Sequence, residues 1–343
     1  IYYIFFFLAF VICAFILNYF FPFKTKKQQH SNSLFTDALN AMVRGDQSKA
    51  INLLKQVVKQ DSDHVRAYLQ LGNIINKDNP EQAIKIHQSL TVRPNLSNDI
   101  RVDIHRALAN DYYLVKQFRK AKEEAEQVLK LEKRNLWALE FLISLAEENK
   151  NWDNAANWTK QLHRVTGKKK NRDVAKFDVY KGLDCLKNSQ IDEAKLFFKK
   201  AIKLSPNFSL SYHYLGDVYA ETRNLVKAVE NWEIFASKDL ENGKEVYSKI
   251  ETALFDLGRY SEVENFYRKI IKINSANFEA VLRLANVLEE KGESGSAMSL
   301  IEDAISSSGK DVRAELMKLK LSLTTSTPME LGHQLDKIIE HLS

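Results

Sequence analysis

Apolar positions follow two regimes along this chain. The first 23 residues, IYYIFFFLAFVICAFILNYFFPF, carry no charge, and Asn18 is their only strongly polar side chain. From residue 34 onward, apolar residues recur at helical spacing and polar turns separate the blocks. EQAIKIHQSL (81–90) reads as one amphipathic helix with His87 at its centre. With 11 Gly and 5 Pro in 343 residues, few helix breakers interrupt this pattern. The chain reads as all-α, built from helices joined by short turns.

The opening run is long enough to cross a bilayer, which takes roughly 20 apolar residues. Lys24, Lys26 and Lys27 follow it directly. Basic residues stay on the cytoplasmic side, so residues 1–23 are expected to anchor the chain in a membrane, N-terminus outside, with the rest in the cytoplasm. The rival is a cleaved secretory peptide. That requires a basic region before the run and a small-residue cleavage site after it, and neither is present. Residues 24–33 are basic and polar and read as a linker.

A period of about 34 residues governs the remainder. Tyr212, Leu215, Gly216 and Tyr219 lead to Ala228 and Trp232, and Gly182 precedes Gly216 by 34 positions. Gly182 with Ala194 and Gly216 with Ala228 are both 12 apart. Such pairs mark the close crossing of two hairpin helices, where only a small residue fits. Similar pairs are Ala38 with Ala50, Ala109 with Ala121, Ser144 with Ala156, and Ala285 with Ala297. Gly72 with Ala83 is one residue short, and a degenerate unit spans Glu251 to Val263. This is the tetratricopeptide pattern, with Tyr replacing the first Trp. It predicts about eight helix pairs over 34–308, stacked as a right-handed superhelical solenoid with a concave face, and trailing helices over 309–343.

The chemistry left over is sparse. Fifty basic and 44 acidic side chains give a net charge of +6 on a mixed surface, which excludes a nucleic-acid stripe. Cys13 and Cys185 form no metal or disulfide framework, and a reducing compartment is the simpler reading. No metal, phosphate-loop or nucleophile motif is present, so the chain reads as non-enzymatic, with no cofactor. His87 falls four residues after Ala83, in the slot that Phe198 and Trp232 fill in other units. It reads as packing, with His87→Phe tolerated. The position after the small residue should face the concave side: Asn73, Asn110 and Asp217. Arg66, Arg106, Tyr113 and His213 lie near it by the same counting. Asparagine amides can clamp a ligand's main chain and arginines can fork carboxylates; a merely solvated face is the other reading. Lys168, Lys169, Lys170 and Arg172 form a basic loop, read either as a solvated loop or as a site for anionic lipid or an acidic partner.

Residues 66–130 carry a sharper likeness. Leu71–Asn73, Ala83–Gln88, Arg93–Pro94 and Ala109–Tyr112 resemble the lipopolysaccharide assembly protein B family, whose signature falls here on His87, Arg93, Pro94, Asp111 and Tyr112. The resemblance implies a membrane-anchored adaptor of cytoplasmic repeats. It implies that the adaptor restrains lipid A synthesis by helping a membrane AAA protease degrade the deacetylase of the committed step. The family also carries a rubredoxin-like metal domain on two Cys-x-x-Cys pairs. These 343 residues contain no such pair, and no metal is assigned to them. The alternative is a tetratricopeptide scaffold subunit or assembly factor of another inner-membrane complex.

Overall fold

The computed structural model describes residues 2–308, 312–323 and 326–342, with the side chains of 2–5, 8–9, 14, 16–28, 307–308 and 340–342 outside that description. Among the described residues there are eighteen α-helices, one 3-10 turn and no strand. The chain divides into two compact units, Ile1–Lys168 and Lys169–Ser343.

The first unit holds four antiparallel pairs: α1 (Tyr2–Val43) with α2 (Gln47–Gln60), α3 (Val65–Ile75) with α4 (Pro80–Thr91), α5 (Asn98–Leu114) with α6 (Phe118–Leu131), and α7 (Leu136–Glu148) with α8 (Trp152–Thr166). The second holds α9 (Asn171–Lys187) with α10 (Ile191–Leu204), α11 (Ser209–Glu221) with α12 (Leu225–Lys238), α13 (Tyr247–Asp256) with α14 (Tyr260–Ile273), and α15 (Phe278–Glu290) with α16 (Ser294–Ser308). A 3-10 turn at Gly243–Val246 precedes α13, and α17 (Val312–Ser322) and α18 (Pro328–Leu342) follow.

Local chemistry explains the boundaries. Asp46, Asn79, Ser97, Asn135, Asn151, Asn224 and Asn277 each accept an N–H of the first turn they precede. Seven of the eight hairpin turns carry one left-handed residue: Gly45, Lys116, Lys150, Ser189, Arg223, Gly258 and Gly292. The turn between α3 and α4 has none, and Pro80 opens α4 instead. Helix α3 ends three residues after Gly72, two sooner than α9 ends after Gly182, and its turn is one residue longer, which leaves Gly72 and Ala83 one residue short.

Six of the eight pairs close on a small residue against a side chain of the facing helix. A Cβ on Gly72 would lie 2.2 Å from the His87 ring, on Gly182 2.4 Å from Phe198, and on Gly216 2.5 Å from Trp232. Where the first helix carries Ala109, the facing residue shrinks to Ala125, and both are fully buried. In the fourth pair the expected register is off by one: Ser144 is exposed and Ala155, not Ala156, is fully buried. Ile143 then takes the small-residue position, opposite buried Thr159. In the seventh pair Glu251 takes that position, and its carboxylate accepts from the Tyr267 hydroxyl at 2.5 Å and from Arg283 at 2.8 Å. A polar network replaces the close crossing, which is the physical content of the degenerate unit.

The helix α1 continues through 24–33, the stretch read as a linker, and spans about 63 Å at 1.5 Å per residue. The anchor expected over 1–23 falls mostly on residues whose side chains lie outside the description. Among the described residues, no helix is long and apolar enough to cross a membrane.

Candidate partner-binding surface

The family-signature residues form the joint between the second and third pairs. His87 and Asp111 are both fully buried, with Nδ1 2.6 Å from Oδ2. The other ring nitrogen, Nε2, faces the Leu69 carbonyl at 3.2 Å. Beside this pair, Gln88 Nε2 donates to the Tyr112 hydroxyl at 2.7 Å, and burial raises that phenol's pKa. Arg93 lies over the Tyr68 ring at 4.6 Å, while Pro94 sits exposed in the turn. His87 is thus in the ring slot, as its spacing implies. It also holds a buried carboxylate, which Phe would leave unpartnered, so the expected tolerance of His87→Phe is withdrawn.

A shelf of half-buried aromatics lies on the first helices of the third and fourth pairs, with Tyr113 at its exposed edge. Trp137 and Phe141 stack at 5.1 Å, and Tyr113 sits edge-on to Phe141 at 5.9 Å and tilted against Phe118 at 5.8 Å. The Arg106 guanidinium covers Trp137 at 4.9 Å. A hydrogen bond to Glu148 raises the Tyr113 pKa. Arg106 and Tyr113 were legible from repeat counting. Trp137 and Phe141 were missed because the fourth pair's register was misread. On the same helix as Arg106, Asn110 is half-buried; Asn73 and Arg66 are exposed on α3, which packs against α5.

His213 and Asp217 belong to the second unit. Asp217 Oδ1 accepts from Trp232 Nε1 at 3.0 Å and from Lys249 Nζ at 2.7 Å. His213 stacks on Phe235 at 4.7 Å, and burial lowers its pKa below 6.5. Both side chains are engaged within their own unit. Of the basic loop, Lys168 ends the first unit, and Lys169, Lys170 and Arg172 open the second; all four are exposed, and Arg172 lies over Phe208 at 5.3 Å. Among the described residues, no group of three His, Cys, Asp or Glu side chains is placed to hold a metal.

Antiparallel helix pairs, most of them closed by small residues, make a tetratricopeptide-like all-helical array. Two tetratricopeptide-repeat family models match residues 197–230 and 185–208. Lipopolysaccharide assembly protein B of Escherichia coli (strain K12) is 25% identical over 279 residues, covering 80% of this chain and 72% of that protein. The protein of that name from Haemophilus influenzae is 25% identical over 294 residues, with the same coverage. A tetratricopeptide repeat protein of Parabacteroides merdae, known from its crystal structure, aligns at a TM-score of 0.40 with 15% identity, over 86% of this chain and 99% of that one. The chain is thus similar to lipopolysaccharide assembly protein B over most of its length and carries tetratricopeptide-repeat matches in its second unit.

Proposed function

We propose that this chain is a non-enzymatic, membrane-tethered adaptor in the control of lipopolysaccharide assembly, and that it takes a partner segment on the first-helix face of its first unit. The shelf of half-buried Trp137 and Phe141 with exposed Tyr113 beside Arg106 carries this reading, because stacked aromatics beside a guanidinium are the usual anchors of a protein interface. The side-chain amides of Asn73 and Asn110 supply donors and acceptors for a partner's main chain alongside. The likeness to lipopolysaccharide assembly protein B supplies the pathway. The partners proposed on that resemblance are a membrane AAA protease and the committed-step deacetylase of lipid A synthesis. The tether is residues 1–23, supported by their lack of charge and by the three lysines that follow.

The test is the half-life of that deacetylase in cells lacking the chain. It should lengthen several-fold and return to normal when the full chain is restored. Asn73→Ala with Asn110→Ala should restore it only in part. Each lost hydrogen bond costs about 0.5–1.5 kcal/mol, which for two is roughly five- to a hundredfold in affinity. An unchanged half-life would remove the lipopolysaccharide reading and favour a scaffold of another inner-membrane complex.

A further inference from the structure

The second helices of the third and fourth pairs, α6 and α8, enclose a strip that the adaptor reading does not use. Two hollows of about 200 and 410 Å³ lie along it, and Trp158 lines both. The helix α6 turns Arg119, Lys122, Glu126 and Leu129 toward the strip, at intervals of three or four, and Lys133 follows in the turn after it. On α8, Asn154, Trp158, Gln161 and Arg164 do the same. From Arg119 to Lys133 the strip runs about 20 Å, the length of about six extended residues.

Its charge is one-sided. Arg119, Lys122, Lys130, Lys133 and Arg164 line the two hollows against a single carboxylate, Glu126. Glu126 lies 3.6 Å from Lys122, and Arg119 is 3.6 Å from Glu123 outside the strip. Lys130, Lys133 and Arg164 have no carboxylate partner among the described residues. Three uncompensated cations therefore ring an apolar floor of Leu129, Val165 and half-buried Trp158. The side-chain amides of Asn154 and Gln161 sit in the same strip and suit a peptide main chain. A membrane surface is flat and would reach the rim cations without filling the floor. A peptide both fills the floor and neutralises the rim.

We propose that the strip between α6 and α8 is a second docking site, for an acidic segment of a partner protein that sets an apolar side chain beside Trp158 and carboxylates against Lys130, Lys133 and Arg164. This site is independent of the first-helix face and would let one unit hold two partners.

The test probes the full chain, in detergent, against an array of decapeptides that vary systematically in Asp/Glu and apolar content. Captured peptides should combine acidic residues with at least one large apolar side chain. Lys130→Glu, Lys133→Glu and Arg164→Glu together should weaken their capture about tenfold or more. Trp158→Ala should weaken it with the charges intact, while Asn73→Ala with Asn110→Ala leaves it unchanged. An unchanged thermal midpoint in the charge-reversed variant confirms that it is folded; if it unfolds, the charge-neutral Lys130→Gln, Lys133→Gln set is read instead. Phosphatidylglycerol vesicles form a parallel arm. No captured acidic peptide, or capture that resists charge reversal, overturns the proposal. Loss of vesicle binding with peptide capture intact assigns the cations to lipid and overturns it as well.

Discussion

At the scale of single residues, the hairpins are held by volume complementarity between two positions. Glycine in the first helix faces a ring in the second at Gly72 and His87, Gly182 and Phe198, and Gly216 and Trp232. His87 differs from the other two rings because its Nδ1 faces a buried carboxylate. Replacing His87 with Phe keeps the volume and strands Asp111, which should cost about 3–5 kcal/mol. Adding Asp111→Leu should recover most of the loss, since an apolar pair of similar size avoids the buried charge. Chemical-denaturation midpoints of the single and double variants check this; a single variant as stable as the parent would show that Asp111 finds water or another donor. The slot was legible from the spacing of Ala83 and His87. The partner was not, because Asp111 is 24 residues away and only the stacking of pairs brings it in.

At the scale of the helix pair, alanines mark where two axes approach most closely. Ala228 is fully buried at such a crossing. Ala228→Phe should destabilise the second unit by about 1–3 kcal/mol or more through overpacking, read as a lowered thermal midpoint. An unshifted midpoint would mean that the crossing lies elsewhere. The pair formed by α11 and α12 also carries a pH signature. Burial lowers the pKa of His213 in the fold, so the unfolded chain binds its proton first as pH falls. The unfolded state then binds more protons than the folded one, and stability rises with pH through this window. Its contribution is present above about 6.5 and is lost as pH falls toward the lowered folded value. Urea midpoints followed from about pH 7 to about pH 5 should therefore fall more steeply in the parent than in His213→Phe. Parallel profiles would show that His213 is not the group responsible.

At the scale of the whole molecule, the two units differ in how their cores are joined. Buried apolar residues of the second unit form one continuous cluster from Ala175 to Leu321. Those of the first fall into several smaller clusters, with the polar joint of His87 and Asp111 among them. Polar groups at such a joint fix which pairs stack while adding less burial. At this scale the proposed tether also makes its prediction. If residues 1–23 span the membrane and Lys24, Lys26 and Lys27 stay inside, protease added to intact spheroplasts should leave the repeats whole. Their digestion there would reverse the topology.

The sequence by itself determined the helical class, the number of pairs and nearly all of their registers. These follow from local rules: the 3.6-residue period of apolar positions, the caps, and the small residues forced by close helix crossings. It failed at the fourth pair, where Ser144 and Ala156 mimic the spacing that Ile143 and Ala155 fill. A motif match cannot tell which of two neighbouring small residues is buried. Tertiary structure alone decided what depends on the stacking of separate pairs. It brought Asp111 to His87, Trp137 under Arg106, and Trp158 beside Lys130, Lys133 and Arg164. It also placed Trp232 and Lys249 on the Asp217 carboxylate. Apart from Trp158 with Arg164, which share α8, each of these contacts joins residues 15 or more positions apart. The period fixes which face of a helix a side chain occupies, and packing between helices fixes what that face meets.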